Sequence, residues 1–251
     1  MTPQRRQQLL AFLESLGLGA ATGLIPSDPA AAEAALETLD EALTHSSTGL
    51  PRHHDRLEFL GDAVLRLAAA EFLHREHPAL GVGDTSALRA QLVSDRWLSE
   101  LARSIALEPV LLMGPMAAGD RAGRSTVLAE CAEALVGAVY TVGGGPQGGL
   151  VAVQQWLAPH WRGSAAELLA DPARHNWKSV LQEWSQGQGK GLPTYHCLER
   201  SRVHGDPERF ECRVEVADLR GEGRGRSRRE AEQQAARAAL AALALRPAPG
   251  C

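Results

Sequence analysis

Residues 55–67 read Asp55-Arg56-Leu57-Glu58-Phe59-Leu60-Gly61-Asp62-Ala63-Val64-Leu65-Arg66-Leu67. Apolar side chains at 57, 59, 60, 63, 64, 65 and 67 wrap nearly around a helix, which is the pattern of a core helix. Two carboxylates interrupt it. Glu58 and Asp62 stand four residues apart and therefore stack on one helical face. Like charges at that spacing repel, and partial burial adds a desolvation cost. A divalent cation offsets both.

The same anomaly recurs at Thr126-Val127-Leu128-Ala129-Glu130-Cys131-Ala132-Glu133-Ala134-Leu135-Val136-Gly137-Ala138. Glu130 and Glu133 share one side of an otherwise apolar helix, at spacing three. If the two helices pack together, four carboxylates converge, a donor set suited to magnesium. A carboxylate pair at helical spacing is more often a solvated face, and Arg56, Arg66 or Arg89 can neutralise one pair as an ordinary ion pair. Spacing alone leaves both readings open.

Outward from these helices, apolar periodicity predicts further helices over 4–16, 30–44, 95–105 and 147–160, and another containing Leu88, Leu92 and Val93 capped by Thr85 or Ser86. No strand alternation occurs before residue 165, so the first domain, 1–161, is expected to be all-α. Residues 162–172 mix Arg, Gly, Ser and Asp-Pro and are expected to form a linker. The pattern then changes. A helix is expected over 176–186, strands over 195–199 and 210–216, then a Gly/Arg-rich turn and an Ala-rich helix over 228–244. That order describes a small α+β domain over 173–246.

The chain has 251 residues, enough for two domains, and 44% hydrophobic residues support buried cores. No uncharged apolar stretch reaches the roughly 20 residues that cross a bilayer. The N-terminal Met1-Thr2-Pro3-Gln4-Arg5-Arg6 leads into an amphipathic pattern, so a cytoplasmic protein with no membrane association is expected. Cys131, Cys197, Cys212 and Cys251 form no CxxC pair and are expected to be reduced thiols. The net charge of −4 is unevenly spread: residues 171–251 carry 14 Lys and Arg against 11 Asp and Glu, residues 1–170 carry 12 against 19. An acidic first part and a basic second part suggest divided labour toward a polyanion.

The segment Asp55–Ala63 resembles the signature of the ribonuclease III family. Ala42-Leu43-Thr44-His45-Ser46 and Val127-Leu128-Ala129-Glu130-Cys131-Ala132-Glu133-Ala134-Leu135 are similar to two further motifs of that family. The resemblance implies an all-α endonuclease domain followed by an α-β-β-β-α double-stranded-RNA-binding domain. It implies that Glu58, Asp62, Glu130 and Glu133 are metal ligands, with Asp62 and Glu133 the most critical catalytically and Asp55 in the active-site surroundings. It implies a homodimer that cuts double-stranded RNA to leave 5′-phosphate and 3′-hydroxyl ends, in ribosomal and messenger RNA processing. Magnesium is the expected cofactor, with manganese as substitute and no nucleotide cofactor. Metal-bound water has a lowered pKa, and the ion relieves charge on the phosphorane-like transition state. Such a mechanism needs no histidine base, so His45 is expected to hydrogen-bond in the core or near the dimer interface.

Three positions depart from the family pattern. Glu130 stands where Asp is common, Asp55 where Glu is usual, and Val82 where an additional Glu is frequent.

The C-terminal part carries its own resemblance. An A-form duplex is read by shape, through 2′-hydroxyls and phosphates. Gln182, Glu183 and Gln186, in Asn176–Gln186, match the polar minor-groove contacts of a double-stranded-RNA-binding helix. Arg226, Ser227, Arg228 and Arg229 resemble its phosphate-binding motif at a helix start, with Arg where Lys is commoner. The middle contact is altered: Asp206 occupies the usual His position before Phe210, and His204 lies upstream. The rival reading is a catalytically retired relative that only binds RNA. Such a protein is expected to have lost one of the four carboxylates, and none is lost.

Overall fold

The computed structural model describes residues 1–170, 177–203 and 206–244. The chain divides into two compact units, Met1–Ala166 and Glu167–Cys251.

The first unit is all-α. Its helices are α1 (Pro3–Ser15), α2 (Pro29–Ala42), α3 (Asp55–Glu76), α4 (Val82–Leu92), α5 (Asp95–Ser104), α6 (Pro115–Gly119), α7 (Arg124–Val142) and α8 (Gly149–Ala170). Local chemistry sets several starts. Asp28 accepts the Ala31 N–H at 2.8 Å with Pro29 following, and Ser94 accepts the Trp97 N–H at 3.2 Å. The expected cap at Thr85 or Ser86 is corrected. Gly81 is the N-cap of α4, and the Thr85 hydroxyl lies within the helix, donating to the Gly81 carbonyl at 2.9 Å.

Helix α7 is the central element, packed by α2, α3 and α5. Leu128, Cys131, Ala134, Leu135, Val136, Ala138 and Val139 are fully buried along it. It is long and apolar enough to cross a membrane, the one such helix among the described residues, and its apolar surface is spent on the core. Phe72 of α3, Trp97 of α5 and Trp161 of α8 form an aromatic knot, with ring centroids 5.4 and 6.1 Å apart around Trp161. Ser164 of α8 accepts the Trp97 indole N–H at 2.9 Å. That packing makes residues 162–170 of the expected linker helical, while the division between the two units falls within 162–172. The helix continues through Ala170, because Trp161 and Ala165 are buried against the bundle and Arg162 pairs with Glu76 at 3.1 Å.

The second unit has α9 (Trp177–Gly187), strands β1 (Thr194–Glu199), β2 (Phe210–Val216) and β3 (Leu219–Gly225), and α10 (Arg228–Ala244). The sheet is antiparallel in the order β1-β2-β3. Its core joins Leu181 of α9, Cys212, Val214, Val216 and Leu219 of the sheet, and Ala231, Ala235, Ala236 and Ala239 of α10. The expected Gly/Arg-rich turn is strand β3. A Cβ on Gly221 would lie 2.2 Å from the Ala235 carbonyl oxygen, and one on Gly223 would lie 2.2 Å from the Ala235 nitrogen. These glycines let an alanine-faced helix rest directly on strand backbone.

The expectation of reduced thiols is also corrected in part. Cys197 and Cys212 face each other in register across β1 and β2 and form a disulfide. Fifteen residues separate them, so only strand pairing reveals the partnership. Cys131 is free and buried, and Cys251 lies outside the described residues.

Candidate functional site

The carboxylates sit where α3 crosses α7. Gly61 and Gly137 bring the two backbones together: a Cβ on Gly61 would lie 1.9 Å from the Glu133 carbonyl oxygen, and one on Gly137 would lie 2.2 Å from that of Leu57. The crossing carries Glu58 and Asp62 on one helix and Glu130 and Glu133 on the other.

Their charges feel one another. Burial pushes the Glu133 carboxyl up to about 7, and the negative charges of Asp62, Glu58 and Asp95 add to that shift while Arg66 opposes it. Glu58 is raised by burial and then by Glu130, Asp55 and Asp62. Arg66 is the cation of this group, gripping Asp62 one turn away at 2.8 Å. Of the three arginines considered from sequence, Arg66 makes that neutralising pair. Arg56 instead binds Glu41 at 2.9 Å. The four carboxylates surround an excess of negative charge, and a hard divalent cation fits that donor set. No three of them bring ligand atoms within 4.8 Å of one another among the described residues.

Histidines line the same site. The segment Thr44–Ser46 is held by Leu112 on one side, through His45 N–H to the Leu112 carbonyl and Leu112 N–H to the Leu43 carbonyl, both 2.8 Å. On the other side His54 N–H donates to the Thr44 carbonyl at 2.9 Å. His45 and His54 stack with centroids 4.8 Å apart. The Nε2 of His45 lies 3.5 Å from Glu130, and that of His54 lies 3.3 Å from Glu58 and 3.7 Å from Glu130. His45 therefore faces a carboxylate, beyond the hydrogen-bonding role expected of it. Asp55 turns to the histidines, 3.0 Å from His53 and 3.4 Å from His54. Cys131 is inert here, its thiol pushed up to about 12 by burial and by Glu130 and Glu58.

In the second unit, Gln182, Glu183 and Gln186 are exposed on α9, on the side away from buried Leu181 and Ser185. Ser227 precedes α10 and accepts the Glu230 N–H at 3.2 Å. Arg226 pairs with Glu230 at 3.2 Å and Arg228 with Glu232 at 3.3 Å, whereas Arg229 is exposed and makes no ion pair among the described residues. The outer sheet face is self-neutralised. Its directly opposed residues pair as Arg213–Glu222 at 2.7 Å, Arg224–Glu211 at 3.1 Å and Arg220–Glu215 at 3.3 Å. His204 lies outside the described residues, while Asp206 accepts the Glu208 N–H at 2.9 Å.

Residues 36–158 match the model of the ribonuclease-III-like family, and residues 177–243 match that of the double-stranded RNA binding motif. Ribonuclease 3 of Prochlorococcus marinus is 50% identical over 206 residues, 82% of this chain and 81% of that protein. Ribonuclease 3 of Gloeobacter violaceus is 42% identical over 97% of this chain and 94% of its own. The chain belongs to the ribonuclease III family. It is an endonuclease of double-stranded RNA, with a metal-dependent nuclease unit followed by a double-stranded-RNA-binding unit. Among solved structures, the nuclease domain of ribonuclease III from Campylobacter jejuni superposes with TM-score 0.49 at 26% identity, covering 64% of this chain and 97% of that one.

Within this ribonuclease III, sequence reasoning missed two groups. His54 borders the signature helix and is buried against Glu58 and Glu130. Its adjacency to Asp55 was the available signal. Asp95 opens α5 and bears on Glu133, a proximity no local pattern reveals. Val82 is 86% exposed in the first turn of α4 and brings no oxygen ligand.

Proposed function

We propose that the nuclease unit hydrolyses both strands of an RNA duplex to 5′-phosphate and 3′-hydroxyl ends, with magnesium held by Glu58, Asp62, Glu130 and Glu133. The Gly61–Gly137 crossing carries this reading, since it brings two pairs of half-buried acids from separate helices to one place. When bound, magnesium supplies a water of lowered pKa and neutralises developing phosphate charge. The chain's own groups prepare the site. Glu133, with a carboxyl near neutrality, gives up its proton to become a ligand. Asp62 leaves Arg66, whose guanidinium is then free to pair with a phosphate. Asp55 acts through His53 and His54.

The second unit grips the duplex through Gln182, Glu183 and Gln186 on α9 and through Arg226, Ser227, Arg228 and Arg229 at the start of α10. Backbone N–H groups at that helix start favour a phosphate. The enzyme acts as a cytoplasmic homodimer on ribosomal and messenger RNA precursors, and manganese substitutes for magnesium. Exposure of Phe59 (85%) and Met116 (90%) in the nuclease unit supports the dimer. Cleavage of a labelled perfect RNA duplex, with magnesium and then with EDTA, tests this reading. Scission of both strands that EDTA abolishes is expected. Salt-sensitive duplex binding without cleavage would overturn it.

A further inference from the structure

We infer, resting on the magnesium reading above, that His54 and His45 are positioning residues for two of the proposed ligands. Their Nε2–H groups hold Glu58 of α3 and Glu130 of α7, one acid from each crossing helix.

The backbone fixes where the ring protons sit. The Ser46 N–H donates to the Nδ1 of His54 and the Ser47 N–H to the Nδ1 of His45, each at 3.2 Å. A backbone N–H only donates, so both Nδ1 atoms accept and each ring carries its proton on Nε2. The Ser47 hydroxyl agrees with this. It accepts the Gly114 N–H at 3.0 Å, which leaves its own proton for the Nδ1 of His45 at 2.7 Å. The exposed Asp55 carboxylate stands farther from the Nδ1 of His54, at 3.4 Å.

Both rings therefore turn an N–H toward the acids. The Nε2 of His54 lies 3.3 Å from Glu58 and 3.7 Å from Glu130, and that of His45 lies 3.5 Å from the same Glu130 oxygen. The donors are themselves held. His54 is buried and stacks on His45, its N–H donates to the Thr44 carbonyl, and its carbonyl accepts the Leu57 and Glu58 N–H groups at 2.9 Å. A glutamate side chain carries much rotamer freedom, and holding it before the ion arrives lowers the cost of ligation.

The test separates the two ring nitrogens. An asparagine amide takes the place of Nδ1 and still accepts the backbone N–H, but it cannot reach the acids. A glutamine amide nitrogen reaches the place of Nε2. Manganese(II) titration of the metal-free full-length chain, followed by electron paramagnetic resonance, reads affinity without cleavage. His54→Asn is expected to weaken manganese binding about 10-fold or more, the size typical of lost outer partners of a metal site. His54→Gln should recover most of that loss, and His45→Asn should also weaken binding. The magnesium concentration giving half-maximal cleavage should rise in the same order. Far-UV circular dichroism checks that the variants fold, and His45→Asn carries the test if His54→Asn does not. Unchanged affinity in the folded asparagine variants would overturn the positioning role and leave the magnesium reading standing. His54→Gln binding no better than His54→Asn would also overturn it, since the loss would then be structural. A parent chain that binds no manganese would overturn both readings.

Discussion

Gly61 of α3 and Gly137 of α7 are in backbone contact, each occupying space that a methyl group would share with a carbonyl oxygen of the other helix. The proposed active site depends on that contact, because Glu58, Asp62 and Glu133 lie about one turn or less from these glycines and Glu130 lies two turns from Gly137. Gly61→Ala and Gly137→Ala are each expected to cost about 1–3 kcal/mol through overpacking. Cleavage should fall as the carboxylates separate. Gly163→Ala, where a Cβ meets nothing within 4 Å, should be neutral or slightly stabilising. Thermal melts of the three variants check this, and a Gly61→Ala protein that melts like the parent would remove the crossing from the argument.

Glu133 sets a pH dependence. Its folded pKa, about 7, is raised from 4.5. Protonated Glu133 therefore stabilises the metal-free fold fully below pH 4.5, and that contribution is lost as pH rises through about 7. Melting temperature without metal should thus decline over that window, more steeply than in Glu133→Gln. Saturating magnesium should flatten the decline, because the cation takes the proton's place. Identical slopes in the two proteins would argue that the group titrates normally.

Charge on the second unit divides between two surfaces. Arg229→Ala should weaken duplex binding and lower the salt slope by about one. Arg213→Ala should change neither, because Arg213 is engaged with Glu222 across the sheet. Filter binding across a salt series distinguishes them. Equal losses would mean that the sheet face also meets RNA.

Phe59 presents a large apolar ring to water in the isolated chain. Phe59→Ala should leave the monomer fold intact and shift a dimer toward monomer in light scattering. Burying such a ring contributes on the order of 1.5–3 kcal/mol. An unchanged molar mass would place the dimer contact elsewhere.

Much of the architecture was legible in sequence because it is written locally. Helix periodicity, the Asp28 and Ser94 caps and the alternation of β1 and β2 each follow from neighbours within a few residues. The acid pairs were visible too, since spacings of three and four define a helical face whatever the fold. What required tertiary structure involves partners distant in the chain. Strand β3 reads as a turn until α10 is laid on its glycines, and Cys197 finds Cys212 only through strand register. The basic excess of the second part is visible in composition, but its cancellation along the sheet face follows from pairing across β2 and β3. Likewise the sequence alone determined that four acids sit on two apolar helices. Only packing decided that the helices cross at Gly61 and Gly137, that Arg66 holds Asp62, and that two histidines share Glu130. Electrostatic coupling depends on distance in space, and chain spacing sets that distance only within a single helix or strand.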